Sequence, residues 1–94
     1  MSTGTIEAFP YKNLTASGNV LAQRGKLAGI FVATASSTPT LAVFDTAATS
    51  TTVTIIAAFT PVAATFYPLP ALAANGIYVQ IGGTVNCTPF FEGS

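Results

Sequence analysis

Ser and Thr are the commonest nucleophile-bearing residues in this chain, and no histidine stands ready to activate them. Hydroxyl attack needs a neighbouring base, and histidine is the usual one near neutral pH. A Ser–Lys pair drawing on Lys12 or Lys26 is conceivable, but neither lysine sits in a catalytic motif. The acids Glu7, Asp45 and Glu92 are far apart in sequence. No paired-carboxylate or metal-binding spacing joins them, so neither general acid–base work nor a cation site is indicated. Asp45 ends an apolar run before a threonine-rich loop and reads as an Asx-type turn residue. Cys87 is the lone cysteine, with Asn86 and Thr88 beside it and no cation nearby in sequence. A buried, inert thiol is the expectation, with no intrachain disulfide. No cofactor motif and no glycine-rich phosphate loop is present.

What remains is surface chemistry. Half the residues are hydrophobic and 6% are charged, against about 25% in ordinary globular domains. Between Asp45 and Glu92 the chain carries no charge. A free monomer of this kind is expected to dissolve poorly, so much of its surface should be covered by copies of itself or a larger assembly. The three basic residues Lys12, Arg24 and Lys26 are too few to neutralise a run of phosphates, which argues against nucleic acid. The apolar stretch 53–74 is interrupted by Pro61, Pro68 and Pro70 and punctuated by Thr54, Thr60 and Thr65, so no membrane span is expected. The start of the chain lacks the basic and apolar regions of a secretory signal. Asn13-Leu14-Thr15 and Asn86-Cys87-Thr88 fit glycosylation triplets and are read as chance.

Aromatic residues are the candidates for contact with a partner. Phe9 and Tyr11 lie in an amino-terminal segment, residues 1–12, that reads either as a frayed end or as an arm docking on a neighbour. Phe90 and Phe91 are adjacent, so on an extended chain they point to opposite faces and one should face outward as an anchor. Phe31, Phe44, Phe59, Phe66, Tyr67 and Tyr78 fall on expected strands and read as core or sheet-face packing.

The elements that must position them are strands. Residues 18–24 form a first candidate, followed by Gly25-Lys26 as a turn or bulge. Leu27–Ala35 is apolar on both faces, as in a buried strand, and Gly29 within it suggests a bulge or a close approach of another chain segment. Ser36–Pro39 reads as a turn, Thr40–Asp45 as a strand, and Thr51–Phe59 as another, rich in β-branched residues. Residues 64–67 are short and extended. Ala71–Ala74 is the single helix-prone stretch, one turn at most. Asn75-Gly76 signals a turn before Ile77, Val79 and Ile81, which alternate with Tyr78, Gln80 and Gly82. Gly82-Gly83 fits a hairpin turn, and Thr84–Thr88 returns with Val85 and Cys87 inward. About six to eight short strands without alternating helices predict a single all-β domain over residues 1–94, an antiparallel sandwich or a jelly-roll or immunoglobulin-like barrel.

The runs Gly25–Val32, Ser36–Asp45, Phe59–Val62 and Asn75–Gly83 resemble small proteins of tailed bacteriophages, namely capsid decoration (cement) or head-fibre components. The likeness covers residues 25–91 and rests on strand and turn patterns; the amino-terminal segment departs from it. It implies a β-sandwich or jelly-roll unit, often a trimer on a capsid three-fold axis, with the major capsid protein as partner. It offers no catalytic residue to carry over. The resulting expectation is a non-enzymatic virion protein, assembled in the host cytoplasm and binding neither nucleic acid nor membrane. The alternative is an adhesive module on a fibre or tail, with loops such as Thr46–Ser50 recognising a glycan or surface protein.

Overall fold

The computed structural model describes residues 10–93. Six strands, β1 (Gly18–Leu21), β2 (Gly25–Phe44), β3 (Thr54–Phe59), β4 (Thr65–Tyr67), β5 (Ala71–Ala73) and β6 (Ile77–Gly93), form one antiparallel sheet. No helix is present among the described residues, and so none long and apolar enough to cross a membrane. The chain is all-β, as its alternating and β-branched runs predict.

The fold is organised by one long ribbon. β2 and β6 pair antiparallel from Gly25↔Gly93 to Phe44↔Tyr78. The free edge of β2 is then covered piecewise. β5 lies against Gly25–Leu27, β4 against Ile30–Val32, and β3 against Leu41–Phe44. The free edge of β6 takes β1 at Ile77–Val79 and isolated bridges from Leu14 and Tyr11 to Cys87 and Phe90. Covering both edges leaves the ribbon few unpaired backbone groups to offer another chain. The exposed outer strand β3 is itself irregular, with two register shifts in six residues; such bulges twist an edge out of the plane that a neighbouring strand would need.

Two expected turns are in fact the bend of this ribbon. Between Ser36↔Thr84 and Thr40↔Gly82, β2 sets Ser37, Thr38 and Pro39 against Gly83 alone. Ser37, Thr38 and Gly83 all have positive φ, at 60°, 53° and 71°. The surplus residues on one strand bend both strands together, so the chain continues through Ser36–Pro39 and through Gly82-Gly83 without reversing. The sequence reads each long strand as two short ones because a sharp bulge and a turn use the same small, polar, glycine-rich residues.

Folding the ribbon over brings its two arms onto one core. Leu27, Ile30, Val32, Val85 and Cys87 from one arm pack with Leu41, Val43, Ile77 and Val79 from the other. Each fully buried aliphatic side chain contributes about 1.5–3 kcal/mol. A second small cluster, Ala42, Phe44 and Tyr78, lies apart from it. Gly25-Lys26 opens β2 and is not a turn. Ala71–Ala73 is a strand where a helical turn was expected: Ala73 is fully buried in the core and pairs with Gly25, so tertiary contact overrides a propensity too weak to sustain one helical turn.

Asp45 closes the far corner of the ribbon. Its Oδ1 accepts hydrogen bonds from the backbone N–H of Asn75 (2.8 Å) and Gly76 (3.3 Å), and Oδ2 accepts from Ala74 N–H (3.1 Å). These partners come from the segment entering β6, so Asp45 joins distant chain segments and does not make the local Asx turn expected of it. The Asn75 N–H holds the carboxyl below its usual range, with partial desolvation opposing and the Ala74 and Gly76 N–H groups adding.

Candidate functional site

Side chains on β2 and β6 alternate between the core and the outer face. In the arm holding Gly25–Val32, the inward set is Leu27, Ile30 and Val32 on β2, with Val85, Cys87, Pro89 and Phe91 on β6. The outward set is therefore Lys26, Gly29 and Phe31, opposite Glu92, Phe90 and Thr88. β4 adds Phe66 beside Phe31, β5 adds Leu72 beside Lys26, and the amino-terminal segment adds Tyr11 beside Phe90.

The result is a solvent-facing aromatic surface. Tyr11 is 67% exposed, Phe66 48%, and Phe31 38%, while Phe90 is half-buried between its neighbours. The ring centroids of Phe66 and Phe90 lie 6.2 Å apart and those of Tyr11 and Phe90 6.5 Å apart, both pairs tilted. These are distances at which aromatic pairs attract. Gly29 makes the arrangement possible. A Cβ at this position would lie 2.5 Å from Phe66 Cζ and 2.8 Å from Tyr67 O. The Phe66 ring thus lies over bare backbone, an aromatic covering a strand glycine.

The borders of this surface are polar. At one end Lys26 and Glu92 stand opposite each other across β2 and β6, next to exposed Leu72. At the other end Asn13 Nδ2 donates to Asn86 Oδ1 (2.8 Å) and Thr88 Oγ1 (3.1 Å), with Cys87 O at 3.2 Å. That amide ties the amino-terminal segment to β6 and so fixes the position of Tyr11. Backbone bonds do the same: Lys12 N–H donates to Pro89 O, and Phe91 N–H to Pro10 O.

Of the contact candidates, Tyr11 and Phe90 are brought together on this outer face. Phe91 turns to the other side, where it is partly buried against the core; of the adjacent pair, Phe90 is thus the outward residue and Phe91 the inward one. Phe9 lies outside the described residues. Phe31 and Phe66 belong to the surface although the sequence assigned them to general packing. Phe31 sits in a run apolar on both faces, where periodicity cannot choose a side. The usable signal was Gly29, which shares its face.

The arrangement suits dry contact with another surface. The four aromatic residues include no acid, base or nucleophile beyond the Tyr11 phenol. Cys87 is fully buried, and burial pushes its thiol up to about 11. The described residues form no pocket and no group of metal-ligating side chains. In the loop after β2, Thr46 is buried and its carbonyl, like that of Ala48, accepts from Asn19 Nδ2. Residues 47–50 are exposed. No family model matches this chain, and neither a curated protein nor a solved structure matches it.

Proposed function

We propose that this chain is a virion structural protein, a decoration or cement protein that binds the outer surface of a phage head and stabilises it. The observation that carries this reading is the solvent-facing surface of Tyr11, Phe31, Phe66 and Phe90 on the outer face of the sheet. Contiguous exposed aromatic surface marks contact sites, and aromatic residues are enriched at interface hot spots. The low charge of the chain and the resemblance of residues 25–91 to phage head proteins point the same way.

In this reading the major capsid protein covers the aromatic surface, and copies of the chain associate, as trimers on the resemblance. Burying the exposed half of a phenylalanine ring returns about 1 kcal/mol, so one copy holds weakly by rings alone. Joined copies gain from multivalency, and any ligand of the assembled shell alone stabilises that shell by mass action. The protein needs no catalytic step for this, and its place is the virion, assembled in the host cytoplasm.

The test is reconstitution on particles. Purified chain is added to heads lacking it, and the pellet is assayed for bound protein and for the temperature at which heads release DNA. The expected result is saturable binding at a copy number set by capsid symmetry, a raised release temperature, and loss of both in a Phe66→Ser, Phe90→Ser variant. Binding of the isolated chain to cells or glycans, with none to heads, would establish the adhesive reading in its place.

A further inference from the structure

The segment joining β5 to β6 contains the dipeptide Asn75-Gly76, and Asn75 is exposed. Of Asn13, Asn19, Asn75 and Asn86, only Asn75 precedes a glycine. A following glycine has no Cβ to hinder its nitrogen from reaching the asparagine side chain. In that reaction the Gly76 nitrogen loses its proton and its electron pair forms a bond to Asn75 Cγ. The Cγ–Nδ2 bond breaks and its electron pair leaves with nitrogen, which takes up protons and departs as ammonia. Water then opens the cyclic imide to aspartate or isoaspartate. The net change consumes one water and releases one ammonia.

We infer that Asn75-Gly76 is a latent succinimide-forming site and that Asp45 keeps it unreactive while the chain is folded. Three observations support this. The Gly76 N–H that must be removed donates to Asp45 Oδ1 at 3.3 Å, so the nitrogen anion would form beside a carboxylate. Asn75 N–H and Ala74 N–H are held by the same carboxylate at 2.8 and 3.1 Å, which restrains the backbone on the asparagine side. Gly76 is enclosed on its other side: its carbonyl accepts from Thr46 N–H at 3.3 Å. Its α-carbon faces the carbonyls of Thr46 and Leu21 so closely that a Cβ would lie 2.4 and 2.5 Å from them. Turning the Gly76 amide toward Asn75 Cγ breaks these bonds and drives the chain into those carbonyls.

The consequence is directional. Isoaspartate at position 75 lengthens the main chain by one carbon and places a second carboxylate against Asp45, two residues before the fully buried Ile77. Modification therefore requires opening of this corner and then opposes its closing. Each opening carries a chance of an irreversible mark.

The test measures isoaspartate at residue 75 by peptide mass mapping after incubation in mildly alkaline buffer. The folded chain is compared with the same chain in denaturing urea, and with folded Asp45→Asn and Asp45→Ser variants. A charge-assisted hydrogen bond to the reacting amide corresponds to about tenfold protection or more, so the folded wild type should react at least that much more slowly than the unfolded chain. Both folded variants should react several times faster than wild type. A folded wild type that reacts at the unfolded rate, or a folded variant as slow as wild type, overturns the inference. If neither variant folds, hydrogen exchange at the Gly76 amide of the wild type decides. Protection by a similar factor supports Asp45 as the guard, and an unprotected amide overturns it.

Discussion

Gly29→Ala is the substitution that examines the aromatic surface from beneath. The added Cβ would stand 2.5 Å from Phe66 Cζ, 2.9 Å from Phe66 Cε1 and 2.8 Å from Tyr67 O. The ring can swing away, but the carbonyl belongs to β4, whose Tyr67 pairs with Ile30. Overpacking of this kind costs about 1–3 kcal/mol. Phe66→Ala alone should cost about 1 kcal/mol, since the ring is close to half exposed and full burial of a phenylalanine is worth about 1.5–3 kcal/mol. In the double variant the ring clash is gone and only the clash with Tyr67 O remains, so the combined cost should fall short of the sum by about 1 kcal/mol. Urea unfolding followed by far-ultraviolet circular dichroism measures all three, provided the m values agree. A neutral Gly29→Ala, or a double variant additive to within about 0.3 kcal/mol, would refute the claim that Phe66 lies over bare backbone.

Three further outcomes follow from individual residues. Asp45→Asn should lower stability at neutral pH by about 1–2 kcal/mol, less than three full charge-assisted bonds because water reaches the carboxylate. The folded Asp45 carboxyl lies below its ordinary value. Its contribution is therefore present above about pH 4 and lost as pH falls through the lowered folded value, so unfolding curves of wild type and variant should converge in acid. Cys87 should resist maleimide in the folded chain even in mildly alkaline solution, because its thiol is buried and pushed up to about 11, and should react at once in urea. Gly83→Ala should cost about 1–3 kcal/mol in the same urea assay, because φ is +71° and the new Cβ would meet Ser37 O at 2.5 Å.

The all-β architecture was legible because alternation at Ile77–Val79 and β-branched density in Ile30, Val32 and Val43 leave few other ways to fold. Inward placement of Val85 and Cys87 follows from the same period. The ribbon bend was not legible. Ser37-Thr38-Pro39 and Gly82-Gly83 are turn residues by composition, and only their pairing across the sheet shows that they share one bulge. β5 was hidden because Ala71–Ala73 has little preference of its own and is a strand through its pairing with Gly25–Leu27. Half of the aromatic surface could be named in advance. Tyr11 and Phe90 stood near the ends of the chain, whereas Phe31 and Phe66 become neighbours only when β4 pairs with β2. The three donors of Asp45 lie about thirty residues away in sequence, beyond any local turn rule.

Cryo-electron microscopy of intact particles from the source bears most directly on the proposed role. Density for this chain should appear on the outer surface of the head, with Tyr11, Phe31, Phe66 and Phe90 seated against capsid protein and shielded from solvent. Particles without that density, or density in which these four rings face open solvent while another side of the sheet makes the contact, would contradict it.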